Sequence, residues 1–265
     1  MQEPLRANCD LEARETCSAR LEAIIDPYAI LIRKLKEHSR LDKEDVNEIK
    51  ALKLGLRELD ANDDIVRQGD RPNVSVLVVS GMVARYHLLP DGRRQYLAFH
   101  LAGDMPDSQA LFIDRMDHAV CAIGPVTVAA IPHQDLFAAF DRRPSFAFAI
   151  WRETLIDAAI FREAITNNSA RSTKGRTAHL LCELYYRSRA SGLVEGDTCY
   201  APITLGQLGE ALGMSLATVN RTLSEIRATG YADFRGGRVI IQDWDRLMRL
   251  AQFNPAYLHL RRPPL

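Results

Sequence analysis

Asn220 and Arg221 stand side by side in a segment rich in side chains that can contact DNA. A guanidinium can bond guanine in a bidentate manner, a carboxamide can do the same with adenine, and apolar side chains can meet the thymine methyl group. Ser215 and Thr218 precede them, where hydroxyls at a helix N-terminus can bind phosphate. Four residues are predicted to contact bases: Leu216, Ala217, Asn220 and Arg221.

Two short helices must position these side chains. Thr204 is placed to cap the first, and Gly213 supplies the left-handed residue needed to turn sharply after it. Ser215 caps the second helix. The apolar positions recur every three or four residues, which is typical of a helix-turn-helix whose second helix enters the major groove. These positions are Leu205, Leu208, Leu212, Val219, Leu223 and Ile226.

A β-hairpin is predicted directly after the two helices. Residues 231–234 and 239–241 flank a turn at Gly236 and Gly237, and the arginines beside this turn resemble those of a winged-helix wing. Residues 171–250 carry 11 basic and 8 acidic side chains, a difference of +3, so the motif lies in the cationic part of the chain. The predicted phosphate contacts are Thr204, Ser215, Thr218, Arg235 and Arg238.

Composition limits the possible classes of protein. The 265 residues are 47% hydrophobic and 26% charged, as in ordinary soluble globular proteins with about two modest domains. The 34 basic and 34 acidic residues balance, which excludes a polycationic nucleic-acid coat. Apolar runs are far too short for a membrane helix, the first residues do not resemble a signal peptide, and five irregularly spaced cysteines argue against a disulfide framework. We expect a cytoplasmic protein that does not enter a membrane.

The predicted fold class is α+β, with an N-terminal antiparallel β-roll of jelly-roll type, a long connecting dimerisation helix and a C-terminal winged helix-turn-helix. Short β-type runs with glycine turns indicate the roll, and the sequence Pro90-Asp91-Gly92 marks its clearest hairpin. The predicted divisions are a helical arm at 1–53, the sensor roll at 54–142, the dimerisation helix at 144–169, the DNA-binding domain at 171–250 and a tail at 251–265.

Three helical segments carry further expectations. In the arm, Pro27 is interpreted as an interruption and Asp42 as the cap of a second helix. Residues 171–190 are predicted to be amphipathic, with Arg187 among the outward-facing side chains. The long helix carries an apolar seam that could pack on its own roll or, as we favour, on a twin helix. The seam comprises Phe148, Trp151, Leu155, Ala158 and Ile165.

A roll, a long helix and a winged helix-turn-helix, in that order, resemble the Crp/Fnr family of bacterial transcription regulators. The resemblance covers about residues 40–250 and is most specific at 88–95, 99–105 and 211–223. It implies a homodimer that binds a two-fold symmetric operator in double-stranded DNA and contacts RNA polymerase. Arg221 matches the family arginine, whereas Ala217 stands where many members carry an acidic residue, so we expect a different half-site.

The resemblance does not decide which ligand or cofactor the roll senses. Cyclic-nucleotide-binding members hold ribose and phosphate with a Gly-Glu segment and a nearby arginine, for which Gly103, Asp104 and Arg115 are the sensor-pocket candidates. Because the glutamate is shortened and the loop is acidic, we do not expect cyclic AMP to bind in the usual way. We favour an unknown ligand or none.

Oxygen-sensing members hold an iron–sulfur cluster through closely spaced N-terminal cysteines and one in the roll. Cys9, Cys17 and Cys121 are the candidates here, but their number and spacing disfavour a cluster. Cys182 is predicted to be buried, and Cys199 to be the more exposed thiol. Haem ligation by a single histidine stays open, so the cofactor is unknown and no metal site is predicted; the histidines concerned are His87, His100 and His118.

An enzyme and a regulatory module that does not bind DNA are the two other functional classes to consider. Motifs of common enzymes, such as a nucleophile elbow, a phosphate-binding loop with lysine or paired metal-binding histidines, do not occur, so we predict that the protein is not an enzyme. A cyclic-nucleotide-responsive module that acts through protein partners would lack the Asn220 and Arg221 face. A redox-responsive regulator that uses its cysteines is the other alternative.

Overall fold

The computed structural model describes residues 26–261, which form an α+β fold of two antiparallel sheets, a long helix and a C-terminal helical domain with a small sheet. Among these residues, no helix has the length and apolar character required to cross a membrane. The helices are α1 (Pro27–Lys36), α2 (Lys43–Lys50), α3 (His133–Arg142), α4 (Pro144–Ala170), α5 (Thr173–Ala190), α6 (Leu205–Leu212), α7 (Leu216–Ala228) and α8 (Trp244–Ala251).

The roll consists of two facing antiparallel sheets, with strand orders β1-β7-β3 and β2-β6-β4-β5. A valine-rich core fills the roll, because alternate residues of each strand point inward. Its strands are β1 (Gly55–Leu59), β2 (Asp64–Val66), β3 (Val74–Ser80), β4 (Met82–Leu88), β5 (Arg94–Leu101), β6 (Ala119–Ala122) and β7 (Val126–Pro132).

The predicted hairpin around Pro90-Asp91-Gly92 is present between β4 and β5, where Gly92 has a φ of +81°. Helix α3 and the one-turn 3-10 helix Ser108–Leu111 are additional elements of the roll segment, beyond those predicted from the sequence. The 3-10 helix follows a predicted turn at residues 102–104, and α3 follows a predicted strand at residues 126–131. Helix α3 covers one end of the roll and packs against α4 through Leu136 and Ala139.

The N-terminal helices are ordered by local caps. Pro27 occupies the first turn of α1 after Asp26, so it begins a helix and does not interrupt one. Asp42 caps α2 as predicted and forms a capping box with Asp45. The part of the predicted arm at 1–25 lies outside the described residues, as do Cys9, Cys17 and the last four residues of the tail.

The C-terminal domain packs α5, α6, α7 and α8 around a four-stranded sheet of order β10-β11-β9-β8. Helix α5 is buried on nearly all sides, and Arg187 is only 8% exposed. The prediction that Arg187 faces outward is therefore wrong, because the roll covers that side of the helix. The strands are β8 (Val194–Glu195), β9 (Thr198–Tyr200), β10 (Ala232–Arg235) and β11 (Arg238–Ile241).

Candidate nucleic-acid interface

Local hydrogen bonds fix the ends of the two helices of the helix-turn-helix. The Thr204 hydroxyl accepts a bond from the Gln207 N–H at 3.2 Å, and the Gln207 carboxamide accepts one from the Thr204 N–H at 2.9 Å. Gly213, with a φ of +62°, ends α6, and the Ser215 hydroxyl accepts a bond from the Thr218 N–H at 3.2 Å. These contacts confirm the predicted caps and fix where α7 begins.

Gly209 sets the close approach of the two helices. A Cβ atom at this position would lie 2.7 Å from the Met214 carbonyl oxygen and 3.3 Å from Cγ2 of Val219. The Met214 N–H also donates to the Gly209 carbonyl at 2.8 Å. Gly209 is not among the residues predicted to matter, although a glycine inside an apolar helix is a signal of close backbone contact.

Helix α7 has one buried face and one exposed face. Val219, Leu223 and Ile226 are buried against the domain core, as predicted. On the other face, the Arg221 side chain is 69% exposed, and Asn220 donates from Nδ2 to the Leu216 carbonyl at 3.0 Å, which leaves its amide oxygen free. All four predicted base-contact residues are exposed: Leu216, Ala217, Asn220 and Arg221.

An acidic residue lies beside the exposed arginine. Arg221 Nε is 3.9 Å from Glu225 Oε1, and both side chains are at least half exposed. Such a pair contributes little stability in water, so the guanidinium remains available to a ligand. Glu225 is not among the predicted site residues, although its position four residues after Arg221 places it on the same helical face.

The wing is a two-residue hairpin. Gly236 and Gly237 have φ values of +57° and +67°, as a tight turn between two strands requires. Arg235 and Arg238 are paired opposite each other at its end and are both exposed. Of the other predicted phosphate contacts, Thr204 and Ser215 are exposed and Thr218 is half-buried.

The helix-turn-helix is docked on the roll. Gln95 of β5 donates from Nε2 to the Glu210 carbonyl at 2.5 Å, and Gln207 donates from Nε2 to the Tyr96 hydroxyl at 3.3 Å. Helix α6 faces β5, while the Arg221 face of α7 remains open to solvent. The roll therefore fixes the position of the helix-turn-helix without covering the exposed Arg221 face of α7.

A buried ionic cluster also joins the roll to the C-terminal domain. Arg187 donates from Nη2 to Asp104 Oδ2 at 2.6 Å and from Nη1 to the Phe99 carbonyl at 3.0 Å. Lys34 Nζ lies 3.1 Å from Asp104 Oδ1 and 3.4 Å from Glu153. Burial alone would raise the pKa of Asp104, but the charges of Lys34 and Arg187 outweigh it and hold this pKa well below its ordinary value.

Comparisons with known proteins agree with this architecture. A model described as a cyclic nucleotide-binding domain matches residues 56–143, and a Crp-like helix-turn-helix domain model matches residues 175–250. The transcriptional activator protein FnrL of Cereibacter sphaeroides is 24% identical over 220 residues, which cover 80% of this chain and 86% of FnrL. The structure of FixK2 from Bradyrhizobium japonicum superimposes with a TM-score of 0.67 at 26% identity, covering 75% of this chain and 98% of FixK2. The chain belongs to the Crp/Fnr family.

Another relative of this Crp/Fnr regulator is the nitrogen fixation regulation protein FixK of Bradyrhizobium diazoefficiens, 28% identical over 175 residues that cover 66% of this chain and 72% of FixK. The matched relatives are transcription regulators and not enzymes, which agrees with the prediction. The chain is thus a DNA-binding transcription regulator of the Crp/Fnr type.

The sensor-pocket candidates of this Crp/Fnr regulator have different environments. Asp104 is engaged by Lys34 and Arg187, and the cavity beside it measures about 20 Å³, room for about one water molecule and not for a nucleotide. Arg115 is exposed and donates to the Gly69 carbonyl at 3.2 Å. Asp104 is therefore engaged by the protein's own cations in this structure, and a shared sensor pocket of Gly103, Asp104 and Arg115 stays a prediction.

Gly103 has a packing role. Its φ is +102°, and a Cβ atom there would lie 3.1 Å from the Lys34 Cβ and 3.6 Å from an Ile30 methyl carbon. The glycine lets α1 approach the β5 end of the roll, which brings the Lys34 ammonium to Asp104. The Lys34 ammonium therefore lies at Asp104, where the family resemblance suggested a ligand.

A second buried guanidinium fills the interior next to the 3-10 helix. Arg85 of β4 is 2% exposed and donates from Nε to the Pro106 carbonyl at 2.6 Å and from Nη2 to Gln109 Oε1 at 3.3 Å. It also pairs with Asp157 of α4 and lies over the Phe161 ring at 5.5 Å. Arg85 is not among the residues predicted to matter, although an arginine within a mainly apolar strand is a signal of a buried ion pair.

The cysteines of the described residues are all buried. Burial raises the pKa of Cys121 and of Cys199 to about 11, so both thiols stay protonated at neutral pH. The prediction that Cys199 is exposed is wrong, because it lies inside β9 opposite Val239. Cys121, Cys182 and Cys199 lie in β6, α5 and β9, and of the three cluster candidates only Cys121 lies within the described residues.

The histidines considered for haem have different environments. His87 is half-buried on β4, and His118 is buried, with one ring nitrogen 2.8 Å from Asp117 and the other 3.0 Å from the Gln109 amide. His100 lies buried with Nδ1 at 3.7 Å from Asp104, and burial together with the nearby Arg85 charge lowers its pKa. Protein groups therefore already engage the ring nitrogens of His118.

Proposed function

We propose that this Crp/Fnr regulator binds, as a homodimer, a two-fold symmetric operator in double-stranded DNA. The observation that carries the proposal is the exposed face of α7, on which the Arg221 guanidinium lies 3.9 Å from its acidic neighbour Glu225 and Asn220 uses its amide nitrogen, not its amide oxygen, to bond the Leu216 carbonyl. A helix of this kind enters the major groove with its N-terminal residues toward the base edges. The half-sites of such a dimer are about 34–36 Å apart, one turn of DNA.

Base and phosphate contacts are assigned to different side chains. Arg221 is suited to guanine and Asn220 to adenine, while Leu216 and Ala217 can meet thymine methyl groups. Glu225 can accept a bond from the cytosine amino group on the same face. Phosphates are assigned to the N-terminus of α7 and to the wing, through Thr204, Ser215, Thr218, Arg235 and Arg238.

The long helix α4 supports the homodimer. The face that packs on its own chain contains Phe146, Ile150 and Ile156, whereas the seam predicted from the sequence faces solvent. Phe148, Trp151, Leu155 and Ile165 are 54% to 70% exposed, and Ala158 is half-buried. A contiguous exposed apolar stripe of this kind is typical of a subunit interface, and a second copy of α4 fits it by symmetry.

The roll is proposed to act without cyclic AMP at Asp104, because Lys34 and Arg187 already neutralise this carboxylate. Contact with RNA polymerase in the cytoplasm, and an activating role, follow from the family and from the name of the transcriptional activator FnrL. These assignments concern what the roll senses and how the regulator acts on transcription. The DNA-binding face is independent of both.

The test begins with selection of bound fragments from genomic DNA, with and without cyclic AMP. We expect one symmetric consensus under both conditions. Arg221→Ala should weaken binding to a consensus fragment by about 30-fold or more, since a bidentate contact to one base is worth about 1–3 kcal/mol and the homodimer loses one in each of its two half-sites. Fluorescence anisotropy with labelled DNA measures this loss.

Arg57→Ala is the matched control, because Arg57 is an exposed arginine on β1, outside the C-terminal domain. It should leave the affinity within twofold. Binding should also weaken steeply as salt is raised, with a smaller slope after Arg235→Gln and Arg238→Gln. Equal affinity of wild type and Arg221→Ala for the consensus would refute the assignment of α7 as the recognition helix.

A further inference from the structure

Two open cavities meet at the turn that follows α1. One has a volume of about 550 Å³ and the other about 520 Å³, and they share Ser39, Arg40 and Arg261. Each lies within the size range of small-molecule sites. The walls come from α1, α4, the end of α5 and the C-terminal segment, so the combined cleft lies where the N-terminal helix meets the DNA-binding domain.

The lining of this cleft is strongly cationic. The basic cleft is defined by its five cations, which are Arg33, Lys36, Arg40, Arg152 and Arg261. Within residues 26–261, none of the five forms an ion pair with a carboxylate. The single acidic residue in the lining, Glu37, already pairs with Lys34 at 3.3 Å and accepts a bond from the Ser191 hydroxyl at 2.7 Å. The cleft therefore keeps its positive charge, although the whole chain is neutral.

Two of the guanidinium groups are held in place by the turn itself. Arg152 of α4 donates from Nη1 to the His38 carbonyl at 3.0 Å, and Arg261 donates from Nη1 to the Ser39 carbonyl at 3.2 Å. The Arg261 N–H also donates to the Glu37 carbonyl at 2.7 Å. A guanidinium has five N–H donors, so each arginine retains donors for an anion. Because both are already oriented, less side-chain freedom is lost on binding.

The charge of the cleft indicates the class of ligand. We propose that the basic cleft binds a small anion that carries two or more phosphate groups. One phosphate monoester carries about −1.5 to −2 charges at neutral pH, which offsets fewer than half of the five cations. Unneutralised like charges repel one another, and a polyphosphate removes this repulsion while it forms charge-assisted hydrogen bonds.

Apolar side chains flank the cations in the cleft. Leu41 and Leu260 lie in one cavity and Phe148 in the other, so a ligand with an organic group attached to its phosphates would find apolar surface beside them. A ligand here would contact α1, α4 and the segment after α8 together. The site goes beyond the proposed DNA-binding function and involves none of the residues assigned to it, apart from Phe148 at the edge of the dimer stripe.

Isothermal titration calorimetry of the full chain with inorganic tripolyphosphate, at low salt and without DNA, tests the proposal. The decisive variant combines Arg33→Gln, Lys36→Gln and Arg40→Gln. These side chains are exposed and make no ion pair within residues 26–261, so their replacement leaves the fold intact. We expect saturable binding to wild type and a Kd at least about tenfold weaker for this variant, which corresponds to about 1.4 kcal/mol.

Two matched variants separate the cleft from other basic surfaces. The first combines Arg57→Gln, Arg67→Gln and Arg71→Gln, which are exposed on the roll. The second removes the arginines of the proposed DNA-binding face with Arg221→Gln, Arg235→Gln and Arg238→Gln. Both should keep the wild-type Kd within twofold.

Three outcomes would overturn the proposal. They are an absence of binding to wild type at millimolar tripolyphosphate, an unchanged Kd in the cleft variant, and loss of binding in the DNA-face variant, which would place the anion on the recognition surface. Because the titration contains no DNA, each of these results leaves the proposed DNA-binding function to its own test.

Discussion

Arg187 and Asp104 are 83 residues apart in the sequence and meet at 2.6 Å between Nη2 and Oδ2 inside the protein. One side chain belongs to the DNA-binding domain and the other to the roll. Asp104 stands at the position where the family resemblance placed a ligand-binding glutamate. In this chain the Asp104 carboxylate binds the Arg187 guanidinium of the DNA-binding domain and not a ligand. The contact between the two domains is therefore part of the fold.

Asp104→Asn should strongly destabilise the protein. The change removes the carboxylate that Lys34 and Arg187 share inside the protein, so that Lys34 keeps only Glu37 and Glu153 and Arg187 keeps only Glu183 as acidic partners. Breaking a buried ion pair by removing one partner costs about 3–5 kcal/mol. Unfolding in urea, followed by circular dichroism, measures this loss.

Asp91→Asn is the control for that experiment. Asp91 pairs with Arg93 at 2.7 Å on the exposed hairpin turn, where water screens both charges. We expect little change in its urea midpoint. If both variants unfold at the same urea concentration as wild type, the buried cluster does not hold the domains together.

Gly209→Ala and Gly206→Ala should change stability in opposite directions. Both glycines lie in α6, and alanine favours a helix over glycine by about 0.5–1 kcal/mol. At Gly206 the new methyl group meets only ordinary contact at 3.9 Å, so Gly206→Ala should stabilise the protein. At Gly209 it lies 2.7 Å from a backbone oxygen, so Gly209→Ala should destabilise it by about 1–3 kcal/mol.

Thermal unfolding and operator affinity of the two alanine variants can be measured together. A shift of the α6–α7 turn should reduce DNA affinity in Gly209→Ala and leave it unchanged in Gly206→Ala. A stabilised Gly209→Ala variant with normal affinity would contradict the close approach of the two helices.

Leu155→Asp should dissociate the proposed homodimer. Leu155 is 54% exposed at the centre of the α4 stripe, and a carboxylate there would be buried without a partner between two helices. Sedimentation equilibrium should show the mass of one 29.8 kDa chain in place of two.

Leu88→Asp is the matched control, because Leu88 is 57% exposed on β4, away from α4. It should sediment like wild type. A Leu155→Asp protein that retains the mass of two chains would exclude the α4 stripe as the interface.

The stability of the roll should depend on pH through Asp107. This carboxyl is buried and accepts a bond from the Val76 N–H at 2.9 Å, and burial raises its pKa from 3.8 to about 7. A carboxyl with a raised pKa in the folded state contributes stability below about pH 4 that is lost as the pH rises through about 7.

Asp107→Asn keeps an acceptor for Val76 and removes the titration. Between about pH 4.5 and 6.5, the free energy of unfolding of wild type should fall relative to this variant by up to about 1.4 kcal/mol per pH unit. Urea unfolding at several pH values measures the difference. Parallel pH curves for the two proteins would show that Asp107 does not titrate in this range.

Local chemistry made much of the DNA-binding region predictable. Thr204, Gly213 and Ser215 act within four residues of their own positions, and the spacing of Val219, Leu223 and Ile226 fixes which face of α7 is buried. The exposed face, with Asn220 and Arg221, follows from that spacing. Turn chemistry likewise predicted the hairpin at Gly92 and the wing at Gly236 and Gly237.

Contacts between distant segments decided what local patterns could not. Arg187 fits the outer side of an amphipathic helix by its type, yet the roll covers that side and supplies Asp104. Arg85 finds Asp157 on α4 in the same way. A charged side chain can be buried when a residue distant in the sequence supplies its partner. The spacing of residues along one helix or strand carries no information about that partner.

The sequence by itself therefore determined the helix-turn-helix and which face of α7 is exposed, because both depend on short-range periodicity and capping, and its motifs carried the resemblance to the Crp/Fnr family. Only the tertiary structure decided that Lys34 of α1 and Arg187 of α5 bind Asp104 of the roll, that Cys199 is buried, and that the apolar stripe on α4 is exposed. These features depend on which surfaces remain uncovered once sheets and helices have packed, and packing is a property of the whole chain.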